Sequence, residues 1–151
     1  MFQEIQGNLW NFWGREPYII LITTNGTIKK NNMAVLGRGC AKEASIKIPG
    51  IARLLGAHLQ NFGNVLMVTD RGYGTFPVKH EWWSEKADPE LIVKSATDLA
   101  KMVRHPDFAG KTWILPRPGC GNGQLKWNQV KPLLEAVELP DSVWIISKSV
   151  A

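Results

Sequence analysis

Apolar positions along the chain switch between strand-like runs and helical spacing. Residues 2–6 carry Phe2 and Ile5 and predict a short strand. Tyr18–Thr24 is an unbroken β-branched and aromatic run, the pattern of a strand buried on both faces. Asn25-Gly26 closes it as a turn pair, and a polar stretch follows at 29–32. Residues 39–44 read as the start of a helix. Pro49-Gly50 opens a clearer one, in which Ile51, Leu54, Leu55, His58 and Leu59 recur at helical spacing and Gly63 is the stop. Residues 65–69 and 73–78 read as strands joined by the turn Asp70-Arg71-Gly72. Asp88-Pro89-Glu90 then supplies an N-cap, a proline at the first helical position and an acidic first turn. Leu91, Ile92, Ser95, Ala96, Leu99, Met102 and Val103 follow along one helical face. Trp113-Ile114-Leu115 is a short strand. A last helix begins near Trp127 or Asn128, with Pro132 placed early enough that its missing N–H is expected to break no internal bond. Residues 142–147 close the chain as a strand around Val143-Trp144-Ile145-Ile146. The order β-β-α-α-β-β-α-β-α-β predicts a mixed α/β domain with helices on both faces of one sheet. Ligands in such folds bind outside the carboxyl ends of the strands.

Composition narrows this reading. A length of 151 residues fits a single domain spanning 1–151, and 44% hydrophobic with 21% charged residues is globular. No apolar run approaches the roughly 20 residues of a membrane helix. The start, Met1-Phe2-Gln3-Glu4, has no basic region or long apolar stretch, so no signal peptide is expected. Two cysteines far apart, Cys40 and Cys120, make neither a tetrahedral zinc site nor a disulfide framework. The expectation is a reduced, cytoplasmic protein without a metal or cofactor. The formal charge is +5. That balance assists an anionic ligand or nucleic acid, but the lysines are scattered rather than clustered, and many enzymes are as basic.

Three segments carry candidate chemistry. In the first, residues 115–127, a strand runs into Pro116-Arg117-Pro118-Gly119-Cys120-Gly121-Asn122-Gly123-Gln124 and then a helix. Alternate glycines permit positive φ and close approach of a ligand to the amides, which form an anion nest ahead of the helix. A tight strand-to-helix connection needs fewer glycines and prolines than this. Lys-Ser/Thr is missing after the glycines, so this is no P-loop. The second segment, residues 33–42, contains Gly37-Arg38-Gly39 but lacks the third glycine of a dinucleotide fingerprint. Two glycine-rich turns in one small domain predict a diphosphate gripped from both sides. The third is Phe76-Pro77-Val78-Lys79-His80-Glu81-Trp82-Trp83. Without a second histidine at the right spacing it is no zincin motif, and His80 reads as a surface or loop-packing residue. Trp82 and Trp83 read as either core or cover for a ligand ring. Lys79 becomes a nucleophile only if its pKa falls from about 10.4.

On these motifs, and over nearly the whole chain, the sequence resembles the macrodomain family of ADP-ribose-binding proteins. It is most similar to the branch of terminal ADP-ribose glycohydrolases and of antitoxin macrodomains that remove ADP-ribose from DNA. Gln6-Gly7-Asn8-Leu9 resembles the motif that meets adenine. Thr24-Asn25-Gly26 resembles the asparagine-bearing strand end near the distal ribose. Leu36-Gly37-Arg38-Gly39-Cys40-Ala41 resembles the first phosphate loop. Gly119-Cys120-Gly121-x-Gly123-x-Leu125-x-Trp127 resembles the second and is the most specific match. Phe76-Pro77-Val78-Lys79 resembles the Phe-Pro-Thr-Lys segment that carries a catalytic lysine. Two departures stand out. Gly123 occupies the place of an aspartate in the human-type glycohydrolases, and residues 26–32 form a longer stretch than in the antitoxins, at the mouth of the site.

The resemblance implies a three-layer α/β/α fold with a central mixed sheet, and hydrolysis of the bond between ADP-ribose and an acceptor. Lys79 is the implied catalytic residue. Asn8 and Leu9 would meet adenine. Leu36, Gly37, Arg38, Gly39 and Cys40 would face Gly119, Cys120, Gly121, Asn122, Gly123 and Gln124 across the diphosphate, and Asn25 would lie near the distal ribose. The expected partner is ADP-ribose or an ADP-ribosylated substrate, with nucleic acid as one such substrate and no membrane. A reader that binds ADP-ribose without turnover, and a phosphatase acting on ADP-ribose 1″-phosphate, are the alternatives. The acceptor and the oligomeric state stay open.

Overall fold

The run at Tyr18–Thr24 becomes β2, which pairs in parallel with β4 (Tyr73–Pro77) on one side and β5 (Thr112–Pro116) on the other. The computed structural model describes residues 1–84 and 86–148. β6 (Val143–Ser147) lies parallel to β5, and β1 (Gln3–Gln6) lies parallel to β6 at one edge. β3 is only Met67–Val68 and runs antiparallel to β4 at the other edge. The sheet order is β1-β6-β5-β2-β4-β3.

Residue alternation in the strands divides the core in two. Ile19 and Leu21 of β2, with Trp113 and Leu115 of β5, pack with α3 (Pro89–Val103) and α4 (Trp127–Val137). Ile20 and Ile22, with Ile114, pack on the opposite face with α1 (Gly39–Lys47) and α2 (Ile51–Phe62). This is the expected three-layer α/β/α sandwich around a mixed sheet. Among the described residues, no helix is long and apolar enough to cross a membrane.

Most local signals act as their chemistry requires. Asp88 accepts a hydrogen bond from the Glu90 amide at 2.9 Å and caps α3. Gly63 ends α2 at φ 84°. Two expectations need correction. The strand expected at 65–69 shrinks to two residues. The Val65 amide turns back onto the Gly63 carbonyl, and the Val65 carbonyl is engaged by the His58 ring at 3.0 Å. Pro132 lies at the sixth position of α4, where an amide would normally donate to Asn128, so one internal bond is lost. Asn128 and Pro132 are both exposed, which lets water take up the freed carbonyl. A 3₁₀ turn at Leu9–Phe12, not foreseen from the pattern, follows β1.

The polar stretch after β2 is a small hairpin. Ile28 bridges Ala34, and the Lys29 amide donates to Met33 at 2.8 Å. It rests on α2 at Gly56, where an added Cβ would stand 2.0 Å from the Asn32 carbonyl oxygen. Because the obstacle is backbone, Gly56→Ala should cost about 1–3 kcal/mol, despite alanine's better helix propensity. Urea unfolding checks this; an unchanged midpoint would mean that the hairpin is not seated there.

Candidate functional site

Four of the parallel strands, β2, β4, β5 and β6, deliver their carboxyl ends to one cleft of about 860 Å³. That volume suits a ligand larger than a single small metabolite. Of the residues singled out from the sequence, Asn25, Gly37, Arg38, Gly39, Cys40, Lys79, Gly119, Cys120, Gly121, Asn122 and Gly123 line it. Asn8, Leu9, Leu36 and Gln124 do not. Asn8 accepts the Trp10 amide at 3.0 Å and caps the 3₁₀ turn, while Leu9 and Leu36 are buried in the α1–α2 core. Gln124, at φ 63°, is the exposed residue that ends the 3₁₀ turn Gly121–Gly123.

The second glycine-rich loop leaves β5 at Pro116. Gly119 has φ 77°, and a Cβ there would meet Ile92 at 2.7 Å, Leu125 at 3.0 Å and Ala87 at 3.1 Å. Its carbonyl accepts the Leu125 amide at 3.0 Å, which folds the loop back on itself. Gly121, at φ 73°, has nothing within 4 Å of its would-be Cβ, so the backbone there is open to close approach. Gly123 is buried. Its carbonyl accepts the Ala87 amide at 2.9 Å, and a Cβ would stand 3.0 Å from Ala87 Cβ.

The first loop faces it. Gly39, Cys40 and Ala41 form the opening turn of α1 and line the cleft. Arg38, the N-cap residue, makes no side-chain capping bond, and the first amides and positive dipole end of such a helix suit an anion. Arg38 adds a full charge beside them. The loops approach each other where a Cβ on Gly39 would lie 2.6 Å from Asn122 Nδ2. Asn25 orders the first loop, since its Nδ2 donates to the Val35 carbonyl at 3.1 Å and its Oδ1 accepts the Thr27 amide at 2.9 Å.

Lys79 sits where the loops converge. It is 9% exposed, and its Nζ donates to the carbonyls of Ser84 at 3.0 Å and Asn122 at 3.3 Å. Burial lowers its pKa, and the positive charge of Arg38 lowers it further. Neighbouring Thr24 is buried on the cleft wall, and among the described residues its hydroxyl has no partner. The cysteines are poorly placed as nucleophiles, because burial raises both thiol pKa values. Cys40 Sγ lies 3.1 Å from Thr23 Oγ1. His80 does not line the cleft, and its Nε2 lies 2.7 Å from Asp88 Oδ2. That hydrogen bond is the main reason the Asp88 carboxyl titrates lower than usual.

The pattern missed several cleft residues. Arg117 lines the cleft with its guanidinium 4.9 Å over the Trp127 ring and 3.7 Å from Glu4, which also binds Trp127 Nε1 and Lys131. Ile146, Ser147 and Lys148 enter from β6, a strand end that the general rule for such sheets already marks. Lys29 enters from the hairpin. Trp82, which the pattern left open as core or ligand cover, lines the cleft from the loop after β4.

An α/β/α sandwich whose two glycine-rich loops face each other at the strand ends is the architecture of a macrodomain, and the chain has that fold. Among solved structures it is similar to the macrodomain of Thermus aquaticus DarG, with a TM-score of 0.75 and 23% identity over 97% of this chain and 98% of that one. It is similar to the macrodomain of Mycobacterium tuberculosis DarG, with a TM-score of 0.77 and 20% identity over 99% of each chain. Thermosipho africanus DarTG in complex with ADP-ribose matches with a TM-score of 0.71 and 18% identity, over 95% of this chain and 41% of that one. No protein-family profile and no curated protein matches the chain.

Proposed function

We propose that the cleft binds ADP-ribose and that the protein hydrolyses the bond between its distal ribose and an acceptor, with Lys79 as the catalytic residue. The observation that carries this reading is the position of one buried lysine, with a lowered pKa, between the two glycine-rich loops that line the cleft. Likeness to a solved DarTG in complex with ADP-ribose supports the ligand. The diphosphate would lie between the α1 amides with Arg38 and the open backbone at Gly121. The adenosine end would extend along the cleft to the end of β6 at Ile146 and Ser147, and the distal ribose towards Asn25 and Lys79.

In the chemical step the neutral Lys79 amine attacks the anomeric carbon. The bond from that carbon to the acceptor breaks, and its electron pair leaves with the acceptor, which takes up a proton. Water then displaces the amine, leaving free ADP-ribose and the original lysine. The amine must be unprotonated to attack. Lowering of the Lys79 pKa below 10.5 by burial and Arg38 enlarges the neutral fraction at a given pH. Turnover is therefore expected to rise with pH along a limb centred below 10.5, measured as ADP-ribose released under saturating substrate. A rate that rises nowhere between acidic pH and 10.5 would exclude the neutral amine as the rate-setting group.

One observation favours a second reading, a module that reads ADP-ribose without turnover. Gly123, in the place of an acid in related hydrolases, contributes no carboxylate and is packed against Ala87. Incubation with ADP-ribosylated DNA, ADP-ribosylated protein and ADP-ribose 1″-phosphate distinguishes these functions. Release of ADP-ribose from either macromolecule supports the hydrolase, release of phosphate alone marks a phosphatase, and binding without product marks a reader.

A further inference from the structure

We propose that Arg117 and Lys148 form a second anion site at the adenosine end of the cleft, and that the preferred ligand is an ADP-ribose carrying a further phosphate on its adenosine ribose. The proposal rests on the ADP-ribose reading of the cleft and names the ligand class within it. Strand order sets the position. Lys79 follows β4, Arg117 follows β5 and Lys148 follows β6, and the sheet runs β4-β2-β5-β6 across that span. With neighbouring strands about 4.8 Å apart, the ends of β5 and β6 lie roughly 10 and 14 Å across the sheet from the end of β4. A ligand with its distal ribose at Lys79 and its diphosphate between the glycine-rich loops brings its adenosine ribose to that far end. Both cations line the cleft there.

Arg117 is held in place with its donors unspent. Pro116 and Pro118 flank it and restrict the backbone on either side. Its guanidinium lies 4.9 Å over the Trp127 ring, which covers one face. Its ion-pair partner, Glu4 Oε1, stands 3.7 Å away, beyond hydrogen-bond length. The two Glu4 oxygens accept shorter bonds, from Trp127 Nε1 at 2.9 Å and from Lys131 Nζ at 2.7 Å. The Arg117 side chain is only 22% exposed, and among the described residues none accepts a hydrogen bond from it. A largely buried guanidinium without an acceptor is unfavourable, and a ligand that supplies one is favoured in turn. A base stacked on Arg117 would use the open face and leave the in-plane donors unfilled. The hydroxyls of an unmodified adenosine ribose bring no charge to match. A phosphate monoester presents several anionic oxygens to the guanidinium fork, and Lys148, exposed at the strand end, adds a second cation. Because the guanidinium is ordered before the ligand arrives, little freedom is lost on binding.

Calorimetry on the full chain tests this with ADP-ribose and its monophosphates at the adenosine 2′, adenosine 3′ and distal 1″ positions. Wild type should bind the 2′- or the 3′-phosphate at least about tenfold more tightly than ADP-ribose, the return on a charge-assisted pair. The tighter of the two identifies the position recognised, and its advantage should shrink as salt rises. Arg117→Gln should bring the ratio of that affinity to the affinity for ADP-ribose close to one. Lys148→Gln, at an exposed position, should lower the ratio partway. Neither change should alter the ratio of the 1″-phosphate to ADP-ribose. Wild-type affinity for both adenosine phosphates no higher than for ADP-ribose overturns the proposal. An Arg117→Gln protein that keeps the ratio also overturns it, including one that weakens every ligand equally, as loss of a platform for the base would. An equal loss of preference for the 1″-phosphate would mark general charge attraction and overturns it too. Should Arg117→Gln fail to fold, Lys148→Gln decides, and an unchanged ratio there is contradictory. Failure of wild type to bind any of these ligands would instead count against the reading of the cleft itself.

Discussion

Lys79→Ala is expected to release no measurable ADP-ribose from a modified substrate while still binding free ADP-ribose. The loss should be about 10²–10⁴-fold or greater, the range for removing a side chain that acts directly in the chemical step. Binding should survive because the proposed diphosphate contacts come from backbone at the α1 terminus and the second glycine loop, together with Arg38. The Lys79 ammonium spends its hydrogen bonds on the carbonyls of Ser84 and Asn122, so its removal also leaves two acceptors without a donor. That costs some stability, and a control is needed. Lys79→Arg keeps a donor for those carbonyls but stays protonated at every accessible pH. It should fold and bind, yet remain inactive. Single-turnover assays beside calorimetry separate these effects. Undiminished turnover in both variants would remove Lys79 from the mechanism.

The second large effect is on the fold at Gly119. Gly119→Ala places a side chain at φ 77° and drives its Cβ to within 2.7 Å of Ile92 and 3.1 Å of Ala87. Left-handed backbone costs a residue with a Cβ about 1–2 kcal/mol, and overpacking adds about 1–3 kcal/mol. For a chain of this size the sum corresponds to a fall in Tm of roughly 5–15 °C. Ile92 anchors α3 and the Ala87 amide donates to the Gly123 carbonyl, so the disturbance should reach the second loop and weaken ADP-ribose binding as well. Gly121→Ala makes a useful contrast. Its φ is also positive, but no atom lies within 4 Å, so it should lose only the conformational share of stability. Equal melting temperatures for the two variants would contradict the packing account.

Much of the fold was legible because its signals are local. The β-branched run of β2, the Asp88-Pro89 cap and the Gly63 stop each act within a few residues. The glycine loops were legible for the same reason, since alternating glycines between a strand and a helix state their backbone requirement in five residues. The short β3 was not, because its length depends on His58 reaching Val65 from another element. Pro132 was misjudged by counting from the helix start too generously. The setting of Arg117 joins Glu4 of β1 to Trp127 and Lys131 of α4, a contact set that no spacing announces. The partners of Lys79 were hidden in the same way. They are backbone carbonyls, which carry no residue signature. For the tryptophan pair, pattern alone leaves core and ligand cover open, and their exposure excludes the core reading.

Both the proposed ligand and the proposed hydrolysis require that the cleft between the two glycine-rich loops hold ADP-ribose. Isothermal titration of the wild-type protein with ADP-ribose tests it most directly. One molecule should bind per chain, and Gly39→Val, whose Cβ would be forced against Asn122 at the meeting point of the loops, should bind it at least about tenfold more weakly while remaining folded. Absence of binding heat in a displacement-checked titration of folded wild-type protein, or full binding by Gly39→Val, would contradict the account.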